Sequence, residues 1–370
     1  MSSPRQTGRP IGVLHLIDTL SVGGAERMAT NLVNGVPREL YAAHLCTTRR
    51  SGPLDAMVSA HVGRLRLERR YRLDLLAVRD LVRYIRDNDI SIVHAHGSTI
   101  FTAAAAAQFA RGVSLVWHLH YGTLATERRS GLPYRSIRGR IQTVIAASEP
   151  LAEWAQSALG WTSDRVRYIP NFSCLPPAQS STVALPGVPG YRIVSVANLV
   201  REKDHTTLVR AMAKVAPAIP NAHLLLVGAG DERGAARVVR ESVENAGLTQ
   251  CVSFCGQRSD IEAILRGCDI GVISSFSEGL PLALLEYGHA ALPAVTTAVG
   301  QCTDVVDGGR CGIVVPPRAP AALASAIMAL LRDPDERKRL GCRLQQRVRT
   351  HFSAERVISM VCDIYDRLAR

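Results

Sequence analysis

Several features that would identify common classes of protein are missing from this 370-residue chain. No run of 18 apolar residues occurs, which argues against a membrane-spanning helix. Nine cysteines form no Cys-x-x-Cys pair, and Cys251 and Cys255 have no second pair at zinc-ligand spacing, a pattern typical of reduced thiols in a cytoplasmic protein. Aromatic residues make up 5% of the chain and do not alternate with basic residues as base-stacking proteins require. These absences favour a cytoplasmic protein without a metal site or a nucleic-acid partner.

Basic residues, by contrast, are in excess, with a formal net charge of +12. Such a charge suits nucleic acid, an anionic membrane surface or phosphorylated substrates. The arginines concentrate in two runs, 64–72 and 127–140, and in the first run only Glu68 is acidic. After the first run, leucines and Ile85 recur at helical spacing with arginines between them. This pattern predicts a helix that either lies on lipid or covers a sheet. We expect an anionic membrane surface as a partner, with solvated surface charge as the alternative.

Short apolar runs alternate with longer helical patterns along the chain, as in parallel sheets with crossover helices. A Pro- and Ser-rich segment, 174–190, has the composition of a linker. The order predicts an α/β protein with two doubly wound Rossmann-like domains, 1–175 and 176–351, that bind ligand in a cleft at the carboxyl ends of their strands. A C-terminal helix, about 352–370, is expected to pack back on the first domain. Strands are predicted at Ile11–Ile17, His44–Thr47, Ile92–Ala95, Leu115–His118, Thr143–Ala146, Arg192–Ala197, His223–Val227, Val252–Cys255, Ile270–Ile273, Ala294–Thr296 and Gly312–Val314.

A glycine pair, Gly23 and Gly24, follows the first predicted strand in SVGGAERMATNL. There, glycines let backbone amides approach an anion at a helix N-terminus, although a tight turn explains them equally well. Neither the dinucleotide fingerprint nor a P-loop Gly-Lys-Ser/Thr is present, which argues against a nicotinamide-binding site.

Two carboxylates stand out in the otherwise small and apolar segment SFSEGLPLALLEYGHAA. Carboxylates are costly to bury unless they are paired. Glu278 is predicted on the loop after a strand, and Glu286 about two turns later in a helix. Gly279 and the amides after it lie at the N-terminus of that helix, where phosphate or sugar hydroxyls bind well. Two acceptors beside amide donors suit a nucleotide sugar; the alternative is a capping glutamate plus a surface glutamate.

The segment SEGLPLALLE resembles the E-x7-E motif of the retaining family 4 glycosyltransferases, which have the two-domain GT-B fold. The resemblance extends along nearly the whole chain. HLIDTLSVGGAER is similar to the first strand and Gly-Gly loop of the family, VANLVREKDH to its phosphate-binding stretch, and RVRYIPNF to a segment that ends in an Asn, here Asn171.

The resemblance implies a donor site in the second domain. Glu278 would lie against the donor sugar, Glu286 would accept from the ribose hydroxyls, and Lys203 would bind the pyrophosphate. Asn198 stands where the family usually has Arg, so Arg201 is expected to supply that charge. The remaining donor-binding positions that the motifs imply are Gly23, Gly24, Arg258, Gly279, Leu280 and Leu282, with Arg258 near the base.

Histidines at two strand ends complete the predicted site. His120, in VWHLHYG, matches a catalytic histidine that faces the acceptor in the family, and alternation along a strand puts His118 on the same face. His96 is expected to line the cleft and His94 to be a satisfied core residue. Because the pair His94 and His96 has no evident third ligand, no metal site is predicted.

The implied activity is retaining transfer of a sugar from a UDP- or GDP-linked donor to a glycan or lipid-linked acceptor, without a cofactor. The family implies bacterial polysaccharide biosynthesis at the inner face of the cytoplasmic membrane. Two alternatives stay open: a nucleotide-sugar epimerase of related fold, and a non-catalytic sugar-binding protein. The second would follow if the departures at Asn198 and Asp204, where the family often has Gly, abolish donor binding.

Overall fold

The computed structural model describes residues 9–71, 74–120, 124, 131–174, 183–230 and 234–370. The chain divides into two compact units, the first comprising Met1–Pro170 with Ala354–Arg370 and the second Asn171–Ser353. Each unit contains a parallel sheet with helices, so the predicted fold class is confirmed. Part of the predicted linker and part of the second arginine run lie outside the described residues.

The first unit is built on a sheet with the strand order β3-β2-β1-β4-β5-β6-β7, and its described strand pairs are parallel. Its inner strands are buried on both faces, which explains why they appear in the sequence as nearly continuous apolar runs. The strands are β1 Ile11–Thr19, β2 Tyr41–Arg50, β3 Gly63–Arg66, β4 Ile90–His96, β5 Ser114–Leu119, β6 Ile141–Ala146 and β7 Val166–Tyr168. The described helices are α1 Gly24–Gly35, α2 Leu75–Asp87, α3 Ile100–Ala107, α4 Leu132–Arg135, α5 Glu149–Leu159 and, at the C-terminus, α13 Ala354–Leu368.

The second unit has a sheet with the order β10-β9-β8-β11-β12-β13. Order reverses between β8 and β11, and such a switch point is where open α/β sheets bind ligands. The strands are β8 Arg192–Val196, β9 His223–Val227, β10 Val252–Gly256, β11 Ile270–Ile273, β12 Ala294–Thr297 and β13 Ile313–Val315. The helices are α6 His205–Ala218, α7 Ala235–Asn245, α8 Ile261–Arg266, α9 Leu282–His289, α10 Cys302–Val305, α11 Pro320–Arg332 and α12 Pro334–His351.

The prediction missed the two edge strands of the first unit, β3 and β7. Both are short and half-exposed, so neither has the apolar run by which an inner strand is recognised. Strand β3 overlaps the start of the first arginine run and lies at the edge of the sheet, where Arg64 and Arg66 alternate with uncharged residues. Charged side chains are common at sheet edges because they oppose pairing with another chain.

The first arginine run has more acidic neighbours than its sequence indicates. Asp55 accepts from Arg64 at 2.9 Å and from Arg66 at 2.5 Å, and Asp18 lies 3.3 Å from Arg69. Residues outside the run therefore supply carboxylates, and the run carries less uncompensated charge than its composition indicates. Helix α2 after the run buries Leu81 and Ile85 against the core, so that face covers the sheet.

Within the described residues, we find no helix that is both long enough and apolar enough to cross a membrane.

Candidate functional site

The predicted sugar-binding glutamate and the predicted phosphate-binding lysine are in direct contact. Lys203 Nζ lies 2.6 Å from Glu278 Oε1, and the Ser275 hydroxyl donates to the same oxygen at 2.6 Å. The Glu278 side chain is 8% exposed and that of Lys203 is 27% exposed. A carboxylate this buried is stable because a cation and a hydroxyl satisfy it. Glu278 is thus held as a hydrogen-bond acceptor at the carboxyl ends of β8 and β11.

The two loops that carry this ion pair are joined by two hydrogen bonds, and a third holds the Glu278 loop to strand β12. Phe276 N donates to Glu202 O at 3.0 Å, and Ser274 Oγ donates to Lys203 O at 2.8 Å. Thr297 Oγ1, at the end of β12, donates to Ser275 O at 2.7 Å. These contacts fix the backbone on both sides of the pair, so the site is organised before any ligand arrives.

Gly300 and Gln301 support the loop from the other side, and the sequence prediction missed both. Gln301 N donates to Gly279 O at 2.9 Å. Gly300 has a φ of +51°, and a Cβ there would overlap the carbonyl oxygens of Glu278 and Gly279. Only glycine therefore fits. The signal that would have found Gly300 is its position just after a buried strand, where a ligand-facing loop begins.

Helix α9 places the second glutamate in the interior. Glu286 is 3% exposed. The helix begins after Pro281 without a side-chain cap. The alternative of a capping glutamate plus a surface glutamate is therefore wrong. Leu280 and Leu282 pack in the core, so only their backbone is available to a ligand.

Two departures from the family pattern have structural explanations. Asp204 adopts a left-handed conformation with φ of 47°, which Asp tolerates better than most residues, and caps helix α6 through Thr207 N at 3.3 Å. Asn198 Oδ1 accepts from Ala229 N at 3.1 Å and thereby connects the ends of β8 and β9. Both residues stabilise the local backbone, so neither departure disrupts the loops after β8 and β9.

Arg201 lies apart from the ion pair. It is exposed and lines a cavity together with His205 and Phe276, which neither Lys203 nor Glu278 lines. Arg201 and Lys203 lie in a short 3-10 turn before helix α6, and their side chains have different surroundings. The structure thus gives Lys203, rather than Arg201, the contact with Glu278.

Arg258 forms a bidentate ion pair just after β10. Its Nε and Nη2 lie 2.7 Å and 2.5 Å from the two carboxylate oxygens of Asp260. This hydrogen bonding lowers the pKa of Asp260. Asp260 directly precedes helix α8, and the role of Arg258 near a base stays a prediction.

In the first unit, Gly23 and Gly24 begin helix α1. A Cβ on Gly24 would meet no atom within 4 Å, whereas one on Gly23 would collide with the Glu26 carboxylate. Burial raises the pKa of Glu26. The helix N-terminus therefore already has an acidic side chain beside it, and any anion bound there would have to displace Glu26 or bind with it protonated.

Five histidines and one tyrosine form a continuous hydrogen-bonded chain in the first unit. Adjacent members lie 2.6–3.1 Å apart. Among the described residues, two ring nitrogens of these histidines have no partner, His120 Nδ1 and His118 Nε2, and they are the two ends of the chain. In order, the contacts are His120 Nε2 to His96 Nδ1, His96 Nε2 to His15 Nδ1, His15 Nε2 to Tyr365 OH, Tyr365 OH to His94 Nδ1, and His94 Nε2 to His118 Nδ1.

The protonation of this histidine chain follows from its geometry. Burial lowers the pKa of His15 and His120 to about 3, and those of the other three histidines well below their usual value, so all five are neutral near pH 7. Each neutral ring and the Tyr365 hydroxyl then carries one polar hydrogen, which gives six hydrogens for five contacts. Every contact therefore has a donor, and one N–H remains at an end of the chain. In protein interiors, a buried N–H without an acceptor is rarer than a buried acceptor without a donor. It therefore belongs at half-buried His120 rather than at His118, which is 0% exposed.

His120 therefore presents an Nδ1–H donor, and the expected catalytic histidine is a neutral donor rather than a base. His96, expected to line the cleft, is instead 2% exposed and an internal member of the chain. The argument that His94 and His96 lack a third histidine is also wrong, because His15 Nδ1 or Nε2 lies within 4.8 Å of both. We assign these nitrogens to hydrogen bonding because the contacts account for all but the two end atoms.

Tyr365→Phe tests this assignment. It removes the central hydroxyl and leaves His15 Nε2 and His94 Nδ1 without a partner, so we expect a loss of about 2–5 kcal/mol in the free energy of unfolding. Tyr84→Phe is the matched control, because it removes a tyrosine–histidine hydrogen bond of 2.9 Å to half-buried His44, where water can replace the hydroxyl. Urea unfolding of both variants is the measurement. Equal losses would contradict the histidine chain.

Comparisons with known proteins identify the family of this chain. A model described as Glycosyltransferase Family 4 matches residues 22–172, and one described as Glycosyl transferases group 1 matches residues 190–333. N-acetyl-alpha-D-glucosaminyl L-malate synthase of Bacillus anthracis is 27% identical over 47% of this chain and 44% of its own length. The lipopolysaccharide core biosynthesis mannosyltransferase LpcC of Rhizobium leguminosarum bv. viciae is 27% identical over 66% of this chain and 70% of its own.

Among solved structures, Anabaena HepE in complex with UDP and glucose is similar over 96% of this chain and 100% of its own, with a TM-score of 0.82 and 18% identity. This likeness shows the fold. The match to the Bacillus relative spans less than half of that protein's length. Because glycosyltransferase models match both halves of the chain, it belongs to the group 1 glycosyltransferases and has the GT-B fold.

Proposed function

We propose that this protein transfers a sugar from a nucleoside-diphosphate sugar, UDP- or GDP-linked, to a glycan or lipid-linked acceptor with retention of anomeric configuration. The observation that carries the proposal is the Lys203–Glu278 ion pair beside Gly279, at the switch point of the second sheet. It combines a cation for phosphate with a held acceptor for sugar hydroxyls. The UDP-bound HepE structure and the mannosyltransferase relative support this substrate class and a role in bacterial polysaccharide biosynthesis.

The chemistry assigns a task to each group. As the bond between the anomeric carbon and the phosphate oxygen breaks, the acceptor hydroxyl oxygen forms the new bond to that carbon and its proton passes to the departing nucleoside diphosphate, on which negative charge develops. Lys203 and the amides after Gly279 stabilise that charge. Glu278, already held by Lys203 and Ser275, accepts hydrogen bonds from the sugar and is not the covalent nucleophile. His120, with its Nδ1–H, donates a hydrogen bond in the acceptor half.

The rest of the donor site follows the motif positions. Glu286 accepts from the ribose hydroxyls, and Arg258 lies near the base. The backbone of Gly279, Leu280 and Leu282 borders the pyrophosphate, while Asn198 holds the loop after β8 in place. Gly24 leaves room at the start of α1, whereas the space beside Gly23 holds the Glu26 carboxylate, which would have to move. No metal ion or other cofactor is needed, because Lys203 and the helix amides supply the positive charge.

Neither alternative is favoured by the comparisons, which match glycosyltransferases. A non-catalytic binder would require damaged loops, whereas Asp204 and Asn198 hold theirs in order. The direct experiment is to incubate the purified protein with UDP-, GDP- and ADP-sugars and measure donor hydrolysis and thermal shift. A ligand at a hundred times its dissociation constant adds about 2.7 kcal/mol of stability. Failure of all donors to bind would contradict the proposal.

Glu286→Gln tests the ribose contact. The amide keeps the volume of the side chain but loses the charge that strengthens its hydrogen bonds to hydroxyls, worth about 1.5–3 kcal/mol. We expect the free nucleoside diphosphate to bind about 10- to 100-fold more weakly in calorimetric titration. Glu241→Gln, on an exposed face of α7, is the control. Unchanged affinity in folded Glu286→Gln would remove this residue from the ribose role.

We also propose that the first unit associates with an anionic membrane surface. Helix α2 exposes Leu75 (80%) and Leu76 (64%), and Phe109 (61%) lies near its arginines, so apolar and basic groups share one surface. We therefore expect this surface, rather than the arginines of 64–69 that are paired with carboxylates, to contact the membrane.

Co-sedimentation with vesicles distinguishes these two surfaces. We expect binding to anionic vesicles at low salt and release at high salt, with each arginine near the bilayer contributing about 1 kcal/mol. Leu75→Ser/Leu76→Ser with Arg83→Gln should abolish binding, whereas Arg64→Gln, whose partner is Asp55, should not. A protein that ignores anionic vesicles at low salt would contradict membrane association.

A further inference from the structure

A basic cavity lies in the second unit next to the loops that carry the ion pair, but neither Lys203 nor Glu278 lines it. It has a volume of about 540 Å³ and is bordered by the start of helix α6, one face of α7, and the loops that carry Phe276 and Arg318. That volume is within the range of small-molecule sites. Lys203, Glu278, Asn198 and Arg258 do not line it. The cavity is therefore separate from the residues to which we assign the sugar donor.

Three arginines line the cavity: Arg201, Arg210 and Arg318. In the part of the chain that the structure describes, none of them lies in an ion pair with a carboxylate. The guanidinium carbon of Arg318 instead lies 4.6 Å from the centre of the Phe276 ring. Three cations that line one cavity, none of them paired with a carboxylate among the described residues, repel one another and attract negative charge.

Asp204 is the acidic residue among the lining residues, and its oxygens are already in use. They accept from Thr206 Oγ1 at 2.9 Å and from Thr207 Oγ1 at 2.7 Å, in addition to capping the helix. Helix α6 is 14 residues long, and its N-terminus adds partial positive charge next to the arginines.

His205, the first residue of α6, supplies an independent observation. It lines the cavity and is 2% exposed, and neither ring nitrogen has a hydrogen-bond partner among the described residues. Leaving a buried polar group unpaired costs about 1–3 kcal/mol. The cost is recovered when a ligand in the cavity accepts a hydrogen bond from the ring. An acceptor bordered by three arginines and a helix N-terminus is an anion with several oxygens.

We propose that this cavity binds a phosphorylated small molecule, with the phosphate between His205 and the three arginines and the body of the ligand against Phe276 and Val238. Arginines bind phosphate oxygens in paired hydrogen bonds, and the helix amides complete the same set of donors. The valines and the aromatic ring on the other wall suit an organic body rather than a bare ion. The proposal rests on the cavity alone and does not depend on the identity of the sugar donor.

His205→Phe should affect the stability of the free protein and its pyrophosphate affinity in opposite directions. Phenylalanine fills a similar volume without unpaired nitrogens, so we expect the free protein to become equally or more stable in urea. Binding of inorganic pyrophosphate, the probe, should weaken at least 10-fold in calorimetric titration. A stability loss without any change in pyrophosphate affinity would show that His205 is only a core residue.

Arginine variants separate this cavity from the donor site. Arg210→Gln and Arg318→Gln should each weaken pyrophosphate binding 10-fold or more, and Lys203→Gln should leave a pyrophosphate site intact. If Lys203→Gln abolishes all pyrophosphate binding while the arginine variants have no effect, the anion binds only beside Glu278 and the cavity proposal is wrong. The protein could also bind no nucleotide sugar but retain pyrophosphate binding in Lys203→Gln. That result would support the cavity proposal and contradict the proposed function. Glucose 6-phosphate, used in place of pyrophosphate, tests the contact with the organic body of the ligand. We expect that body to tighten binding in the unaltered protein but not in a variant that lacks the Phe276 ring.

Discussion

Lys203→Ala is expected to lower turnover by about 10²- to 10³-fold, the cost of removing one group that stabilises developing charge. The leaving nucleoside diphosphate loses its cation, and Glu278 loses the partner that lies 2.6 Å away. Because Lys203 is 27% exposed, solvent offsets part of the stability loss, which we expect at about 1–3 kcal/mol. The measurements are kcat with the donor identified by thermal shift, and urea unfolding.

Arg201→Ala is the matched control for Lys203→Ala. It removes a cation two residues away that lines the separate cavity, so turnover should change less than threefold. If Arg201→Ala proves the more damaging variant, our assignment of the phosphate cation is wrong. Adding Glu278→Gln to Lys203→Ala should cost less than the two single effects combined, because the residues act as a pair. Full activity in excess chelator is expected as well, and its loss would contradict catalysis without a metal.

Acid is expected to unfold the first unit steeply. The five histidines of the chain have folded pKa values far below 6.5, near 3 for His15 and His120, so the unfolded state binds more protons as pH falls. Their contribution to stability is complete above about pH 6.5 and is lost between there and about pH 3. At one pH unit below 6.5, each histidine costs about 1.4 kcal/mol. Five together approach the whole stability of a domain, about 5–15 kcal/mol.

Urea midpoints measured from pH 8 to pH 5 provide the test. His118→Phe removes the histidine at the fully buried end and should reduce the slope by about 1.4 kcal/mol per pH unit, the share of one proton. His61→Gln, at an exposed site, should leave the slope unchanged. A slope that corresponds to a single proton in the unaltered protein would mean that the histidines are not buried and neutral together.

The sequence by itself determined the architecture of this protein. Inner strands of a parallel sheet are buried on both faces and must be apolar throughout, so β1, β4, β8 and β11 were recognisable from composition alone. The loop that carries Glu278 and helix α9 with Glu286 were recognisable as well. Two carboxylates in an apolar segment are costly to bury, so they indicate a binding site. Edge strands β3 and β7 lack such a pattern, since half of each is exposed and polar.

Tertiary structure alone decided which of these residues meet. Lys203 and Glu278 are 75 residues apart, and their contact depends on β8 and β11 being neighbours in the sheet. The histidine chain draws on three strands and on Tyr365 of the last helix, so none of its members signals the others locally. The same holds for Arg64, which pairs with Asp55, and for Arg201 and Arg318, which have no carboxylate partner in the described ranges of the chain. Composition shows how much charge a chain carries, whereas packing decides which charges are compensated and which remain available to a ligand.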